Sequence, residues 1–213
     1  MPLQTGSALL FAPSADLRGA EILGRVRTAF LQKGFDGASM QDLALAAGMS
    51  VGNFYRYFPS KAAIVQALVA RDLAEVERDF SLVLGADDPL AALRRTLSER
   101  LEGDTAHCSP DDRPLWAEIT AAAARKPEIG AALAHMESVI VTYLTRLFGH
   151  LTGIAPAEAD RRFDAQARLI LLLIKAAVMQ MPDPARDQGA LNDLILQTVD
   201  RTIEDILTHR TGA

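Results

Sequence analysis

Residues 39 to 61, SMQDLALAAGMSVGNFYRYFPSK, constrain the fold more than any other stretch of the chain. Ser39 followed by Asp42 is a capping-box-like helix start, the serine oxygen being placed to accept an orphan backbone N–H of the first turn. Leu43, Ala46 and Ala47 recur at helical spacing and give this first helix one apolar face. Gly48 stands where a helix ends on a left-handed residue, the conformation that costs glycine least. Ser50 is then placed to cap a second helix, with Met49 filling the angle between the two. Helix, glycine-containing turn, helix is the helix-turn-helix arrangement, whose second helix can enter the major groove of DNA.

If the second helix starts at Ser50, then Val51, Gly52 and Asn53 form its first turn, the part closest to base edges. Asn53 can offer a bidentate pair to adenine, Val51 a methyl contact to thymine, and Gly52 room for close backbone approach; alternatively the three simply begin a helix. Ser39 and Gln41, at the start of the preceding helix, can reach the flanking phosphate strand. Arg56 can meet a guanine edge, a phosphate or only solvent.

The longer run GFDGASMQDLALAAGMSVGNFYRYFPSKAAIVQAL resembles the N-terminal domain of the TetR (tetracycline-repressor-like) transcriptional regulators. The shared features are Gly34-Phe35, Ser39, Leu43-Ala44, Ala47-Gly48, Ser50, Gly52, Tyr55, Tyr57-Phe58 and Lys61, in order and without gaps. The resemblance covers roughly residues 18 to 75. It implies a head that binds double-stranded operator DNA as part of a homodimer, and a helical body that holds a small-molecule effector. Repression relieved by the effector is the mode it implies. Tyr55, Tyr57 and Lys61 match family positions that hold phosphates, a role that orients the head without reading sequence. The positive end of the helix beginning at Lys61 would add to its charge. Val51 departs from the family pattern, since a polar or basic residue often stands there.

Charge follows the same division. Residues 1–61 carry 6 Lys+Arg and 4 Asp+Glu, or +2, and residues 62–213 carry 16 and 23, or −7, which together make the net −5. An acidic total does not exclude DNA, because the local field decides. Hydrophobic residues make up 49% of the 213, enough to bury a sizeable core. Cys108 is the only cysteine, so neither an intrachain disulfide nor a cysteine-rich metal site can form. The start lacks a basic region, and the apolar run Leu169 to Ile174 is bounded by Arg168 and Lys175, too short to span a bilayer. A cytoplasmic protein without membrane contact is expected.

The fold class expected is all-α: an arm over 1–15, a three-helix DNA-binding head over 16–62, and a helical ligand-binding and dimerisation body over 63–213. The arm has no Lys or Arg, which suits a loose tail better than a minor-groove contact. The first helix spans about Asp16 to Lys33 with Ile22, Leu23, Val26, Ala29 and Phe30 on its apolar face, and Phe35 is placed to close a core with Leu43, Phe54 and Phe58. Ser60 caps a long helix, Lys61 to about Leu84, whose far end near Val76 and Phe80 is expected to pack on the helices holding Trp116 and Tyr143. Further helices are expected at 89–102, 115–124, 127–151, 156–181 and 187–209, with GDTAHCSPDDRP as a surface loop.

Candidate effector contacts in the body are Trp116, Glu118, Met136, Tyr143 and Arg168. Trp116, Met136 and Tyr143, like Phe148, lie on apolar helix faces and can equally be ordinary core. Arg168 and Lys175 share a face and can meet an anionic ligand or pair with an acidic residue across a subunit interface; Glu118 can equally greet a cation. Leu169, Leu172, Leu173 and Ala176 on one helix, and Leu191, Ile195, Val199, Ile203 and Ile206 on the last, form stripes expected to build a four-helix dimer interface. On that reading a charge at Val199 yields monomers. His107 and Cys108 are adjacent, and the other histidines are scattered without metal-site spacing. No nucleophile elbow, phosphate loop or His-Glu-x-x-His is present, so no enzyme, cofactor or metal is expected. The alternative is a small-molecule-binding or scaffold protein whose head no longer holds DNA strongly.

Overall fold

The computed structural model describes residues 17–103, 110–180, 185 and 187–208. Among them there are α-helices and one short 3₁₀ turn, and no strand. The expectations for the arm, for His107 and Cys108, and for the break at Pro182 to Pro184 lie outside the described residues. The chain divides into two compact units, one up to Arg71 and one from Asp72 onward.

In the first unit, α1 (Leu17–Lys33) buries Leu23, Val26, Ala29 and Phe30, and leaves Ile22 half-buried. It ends on Gly34, whose φ is +76° and whose N–H donates to the Phe30 carbonyl at 2.8 Å. Phe35 folds back so that its ring lies 5.2 Å from that of Phe30. The connection has no room for a side chain at Gly37, where a Cβ would lie 2.3 Å from the Lys33 carbonyl oxygen. Next comes α2 (Met40–Ala46), with Leu43 and Ala44 buried; Ala46, expected on the inner face, is only half-buried. The helix is so short that a shift of two positions turns Ala44 inward in its place, while Leu45 is 80% exposed. After α3 (Val51–Tyr57), Phe58 packs on Phe54 with ring centroids 5.2 Å apart. The next helix, α4 (Lys61–Leu84), is capped by Ser60, whose Oγ accepts from the Ala63 N–H at 3.2 Å.

Ile64, Val65 and Leu68 of α4 are fully buried. These first turns close the head's core, so the division between units falls inside α4. Leu43, Phe54, Phe35 and Phe58 are all buried as the apolar spacing requires.

The second unit contains the rest of α4, α5 (Pro89–Glu102), the 3₁₀ turn Pro110–Asp112, α6 (Arg113–Ala123), α7 (Pro127–Thr152), α8 (Pro156–Met179) and α9 (Gln188–Thr208). Arg113 and Pro114, expected in the loop, belong to α6 because proline suits a helix's first turn. The same device opens α5, α7 and α8. Gly103 and Gly153, both at positive φ, close α5 and α7. The most extensive helix packing is between α7 and α8. It is close enough that a Cβ on Gly149 would come within 3.0 Å of the Ala159 Cβ. Across the same contact the buried Thr145 hydroxyl donates to Asp160, and Phe148 meets Phe163 edge-on at 6.1 Å.

The last two helices require a correction. Ile195, Val199, Ile203 and Ile206 do not form a free stripe: they are buried in this chain's own core, with Leu93, Leu97 and Ile170. Helical period reports that a face is apolar, and here α5, α7 and α8 already cover it. The apolar surface left uncovered is different. On α8, Ala165, Leu169, Leu172 and Ala176 are exposed at spacings of four, three and four, with Leu172 at 61%; on α9, Leu194 is 56% exposed.

Candidate nucleic-acid interface and body cavity

The helix-turn-helix is built by its caps. The Ser39 Oγ accepts from the Asp42 N–H at 3.1 Å, and an Asp42 oxygen accepts from the Ser39 N–H at 2.8 Å, so two orphan donors are satisfied reciprocally. The Lys33 ammonium at the end of α1 pairs with the other oxygen of Asp42. The Lys33 and Ser39 hydrogen bonds hold the Asp42 carboxyl well below the usual carboxylate range. One residue therefore caps α2 and ties it to α1. Gly48, at φ +67°, makes the turn; a Cβ there would sit 3.2 Å from Arg25. Ser50 then caps α3, accepting from the Asn53 N–H at 3.4 Å.

These constraints leave α3 with one inward residue, Phe54, while Val51, Gly52, Asn53, Tyr55, Arg56 and Tyr57 are exposed. Val51, Tyr55 and Tyr57 remain 40%, 45% and 47% exposed despite their apolar surface. Nothing lies within 4 Å of where a Gly52 Cβ would be. Ser39 and Gln41 are exposed as well, although the Ser39 hydroxyl is already engaged with Asp42.

Lys61 is placed differently from the other head candidates. It is half-buried, and its ammonium donates to the carbonyls of Phe35 at 2.7 Å and Asp36 at 2.8 Å, 5.5 Å from the Phe35 ring centroid. It clasps the α1–α2 connection to the start of α4. Spacing along the sequence carries no signal of this bond, which spans 26 residues.

In the body, a cavity of about 80 Å³ lies among α4, α5, α7 and α8. Its walls are almost wholly aliphatic, with Phe80 the aromatic member and Asp79, Thr96 and Arg100 the polar ones. The Arg100 guanidinium donates to Asp79 at 2.7 Å, joining α5 to α4. Phe80 stacks on Tyr143 of α7 with centroids 5.2 Å apart, as the apolar face of α4 leads one to expect. Burial, and then the charge of Glu77 and a hydrogen bond to it, push the Tyr143 hydroxyl's pKa up.

The five candidate effector residues do not gather at these walls. Tyr143 is not among the wall residues, although it stacks on Phe80, which is. Trp116 and Met136 are half-buried on α6 and α7, and Glu118 is exposed. Arg168 is exposed and lies 3.7 Å from Asp164 of its own helix, while Lys175 pairs with Glu137 of α7. The acidic partners expected across a subunit interface are supplied within the chain. Thr96 and Arg100 stand one turn apart on α5, but no local pattern in the sequence brings Asp79 of α4 to them.

Comparison with known proteins agrees with this geometry. The family model described as bacterial regulatory proteins, tetR family, matches residues 22–68. The HTH-type transcriptional regulator EthR of Mycolicibacterium smegmatis is 36% identical over 85 residues, 39% of this chain and 39% of that protein. The HTH-type transcriptional regulator UidR of Escherichia coli K12 is 27% identical over 152 residues, 70% of this chain and 74% of that one. Among solved structures, Salmonella enterica GusR superposes with a TM-score of 0.70 at 21% identity, covering 92% of this chain and 98% of the other. A TetR-family regulator from Rhodococcus sp. gives 0.68 at 20% identity, covering 87% and 98%. At such identities the superpositions speak for the fold alone. No helix among the described residues is long and apolar enough to cross a membrane. Residues 22–68, which match the tetR family model, thus form a helix-turn-helix DNA-binding domain with an outward-facing second helix, and the chain as a whole shares the all-helical fold of the solved regulators.

Proposed function

We propose that the protein is a ligand-responsive repressor that binds operator DNA as a homodimer and releases it when a small molecule enters the body. The observation that carries the reading is α3, which is capped by Ser50 and exposes every residue except Phe54. In this reading Val51, Gly52 and Asn53 lie against base edges, and Tyr55, Arg56 and Tyr57 against phosphates, with Ser39 and Gln41 on the flanking strand. Lys61 acts first as a clasp that holds the head's shape, and its charge adds to the attraction for phosphate.

Dimerisation is supported by the exposed seam Ala165, Leu169, Leu172 and Ala176 on α8 with Leu194 on α9. Exposed apolar residues at heptad-like spacing are what a second copy of the same helices would cover. The effector response is supported by the cavity, because its wall includes Val76, Asp79 and Phe80 of α4, the helix that begins in the head. An effector that prefers the DNA-incompatible form is sufficient, and about 1–3 kcal/mol of coupling is typical.

Fluorescence anisotropy with the DNA upstream of the protein's own coding region tests this. Tight, salt-dependent binding of that DNA over a scrambled duplex, with a stoichiometry of two chains per site, is expected. Equally weak binding of both duplexes would favour the alternative, a small-molecule-binding or scaffold protein whose head no longer holds DNA strongly. By linkage, an effector must bind the operator complex more weakly than the free protein, by the factor with which it weakens DNA binding.

A further inference from the structure

The walls of the body cavity carry enough chemistry to narrow what it takes. Val76, Leu93, Ile140 and Ile170 represent a lining that offers an aliphatic chain dispersion contacts and offers a polar molecule nothing. Against them stands one cationic side chain among the described walls, Arg100, and one anionic one, Asp79, already bonded to each other. Thr96 does not add a donor, since its hydroxyl donates to the Ala92 carbonyl at 3.1 Å.

The two members of the ion pair are not equally placed. The Arg100 side chain is 24% exposed and the Asp79 side chain 39%. Arginine cannot shed its charge by losing a proton, so the more sheltered partner is also the one that always needs a counter-ion. An incoming carboxylate can take Arg100 and leave Asp79 to turn to water. An incoming ammonium would take Asp79 and strand the more sheltered guanidinium. The cavity of about 80 Å³ is also well below the roughly 300–1,000 Å³ usual for small-molecule sites, so an occupant must part the helices around it. The Arg100–Asp79 bridge from α5 to α4 is the polar link that such parting breaks.

We infer that the body cavity takes an amphipathic monoanion, an aliphatic tail ending in a carboxylate, whose head group replaces Asp79 on Arg100 and so unfastens α4 from α5. The inference rests on the effector-responsive reading only for its consequence at the DNA. The occupant itself is set by the walls.

Calorimetry on the full chain with decanoate, 1-decanol and decylammonium, each below its micelle concentration, tests it. Decanoate should bind at least about tenfold more tightly than decanol, the difference expected of a charge-assisted hydrogen bond. Arg100→Gln should bring decanoate down to the affinity of decanol. Asp79→Asn removes the internal competitor and should raise decanoate affinity while leaving decanol unchanged, a gain that a misfolded variant cannot mimic. Equal binding of decanoate and decanol, preference for decylammonium, binding of none of the three, or a carboxylate preference that survives Arg100→Gln each overturns the inference. Operator anisotropy in parallel separates it from the functional reading. The predicted affinity pattern without DNA release keeps the ligand class and removes the switch. Release by a compound that remains potent on the Arg100→Gln protein keeps the switch and overturns the ligand class.

Discussion

Gly52→Ala separates two quantities that most substitutions in a DNA-binding head confuse. Gly52 is the second residue of α3, is exposed, and has nothing within 4 Å of the place a Cβ would occupy. The methyl group therefore meets no atom beyond its chain neighbours and the helix's own backbone, and that backbone is already helical. Replacing glycine by alanine in a helix stabilises it by roughly 0.5–1 kcal/mol, and less at a first turn than in the interior. The melting temperature should rise by about 1–4 °C. If Gly52 lets the α3 backbone approach the bases, the same methyl group stands between them, and each head should lose about 1–3 kcal/mol of specific affinity. Both heads of a dimer carry the change, so the loss on a two-half-site operator should be about twice that. Calorimetric melting reads the first effect, and anisotropy on operator and scrambled duplex at one fixed salt reads the second. A stabilised protein with undiminished operator affinity would refute close approach at Gly52. A destabilised one would refute the open space around it.

Other substitutions test the remaining assignments. Lys61→Ala should lower the stability of the head by breaking the bonds to Phe35 and Asp36 and weaken binding to all DNA; if the charge also serves phosphates, the log–log salt slope should flatten by about one unit. A loss of affinity with an unchanged slope assigns Lys61 to the clasp alone. Asp42→Asn should lower the melting temperature of the head at neutral pH. Because the folded-state pKa is depressed, this stabilisation is present above the unfolded value of about 3.9 and is lost as pH falls towards the folded one. The gap between wild type and variant should therefore narrow in acid, and a gap that is the same at pH 7 and pH 2 would contradict the assignment. Leu172→Glu should give folded monomers with weak operator binding, whereas Val199→Glu should unfold the body, since Val199 is 1% exposed in its own core. Sedimentation and circular dichroism distinguish the two, and a folded monomer from Val199→Glu would reverse the assignment of faces.

Much of the fold is set by groups that act over a few residues. Ser39, Ser50 and Ser60 cap the helices that follow them, Gly34, Gly48, Gly103 and Gly153 supply left-handed turns, and prolines open α5 to α8. These effects depend on the neighbouring backbone alone, so helix boundaries in the sequence and in the structure nearly coincide. The exposed α3 face was legible for the same reason: a seven-residue helix with one aromatic core residue in its middle, Phe54, and another directly after it, Phe58, has little choice of orientation.

What the tertiary structure alone decided is the identity of partners. Periodicity marks Val199 and Leu172 alike as members of apolar stripes, yet one is buried in the body's core and the other is left open. Nothing local distinguishes them, because which face is covered depends on where distant helices come to rest. The same holds for Lys61 on a carbonyl 26 residues away, Arg100 on Asp79 across 21, and Lys175 on Glu137 across 38. A long charged side chain can serve DNA, ligand or its own fold with the same sequence around it. Packing decides which acceptor lies within hydrogen-bond reach, and a charge drawn out of water takes that acceptor because leaving it unpaired costs more.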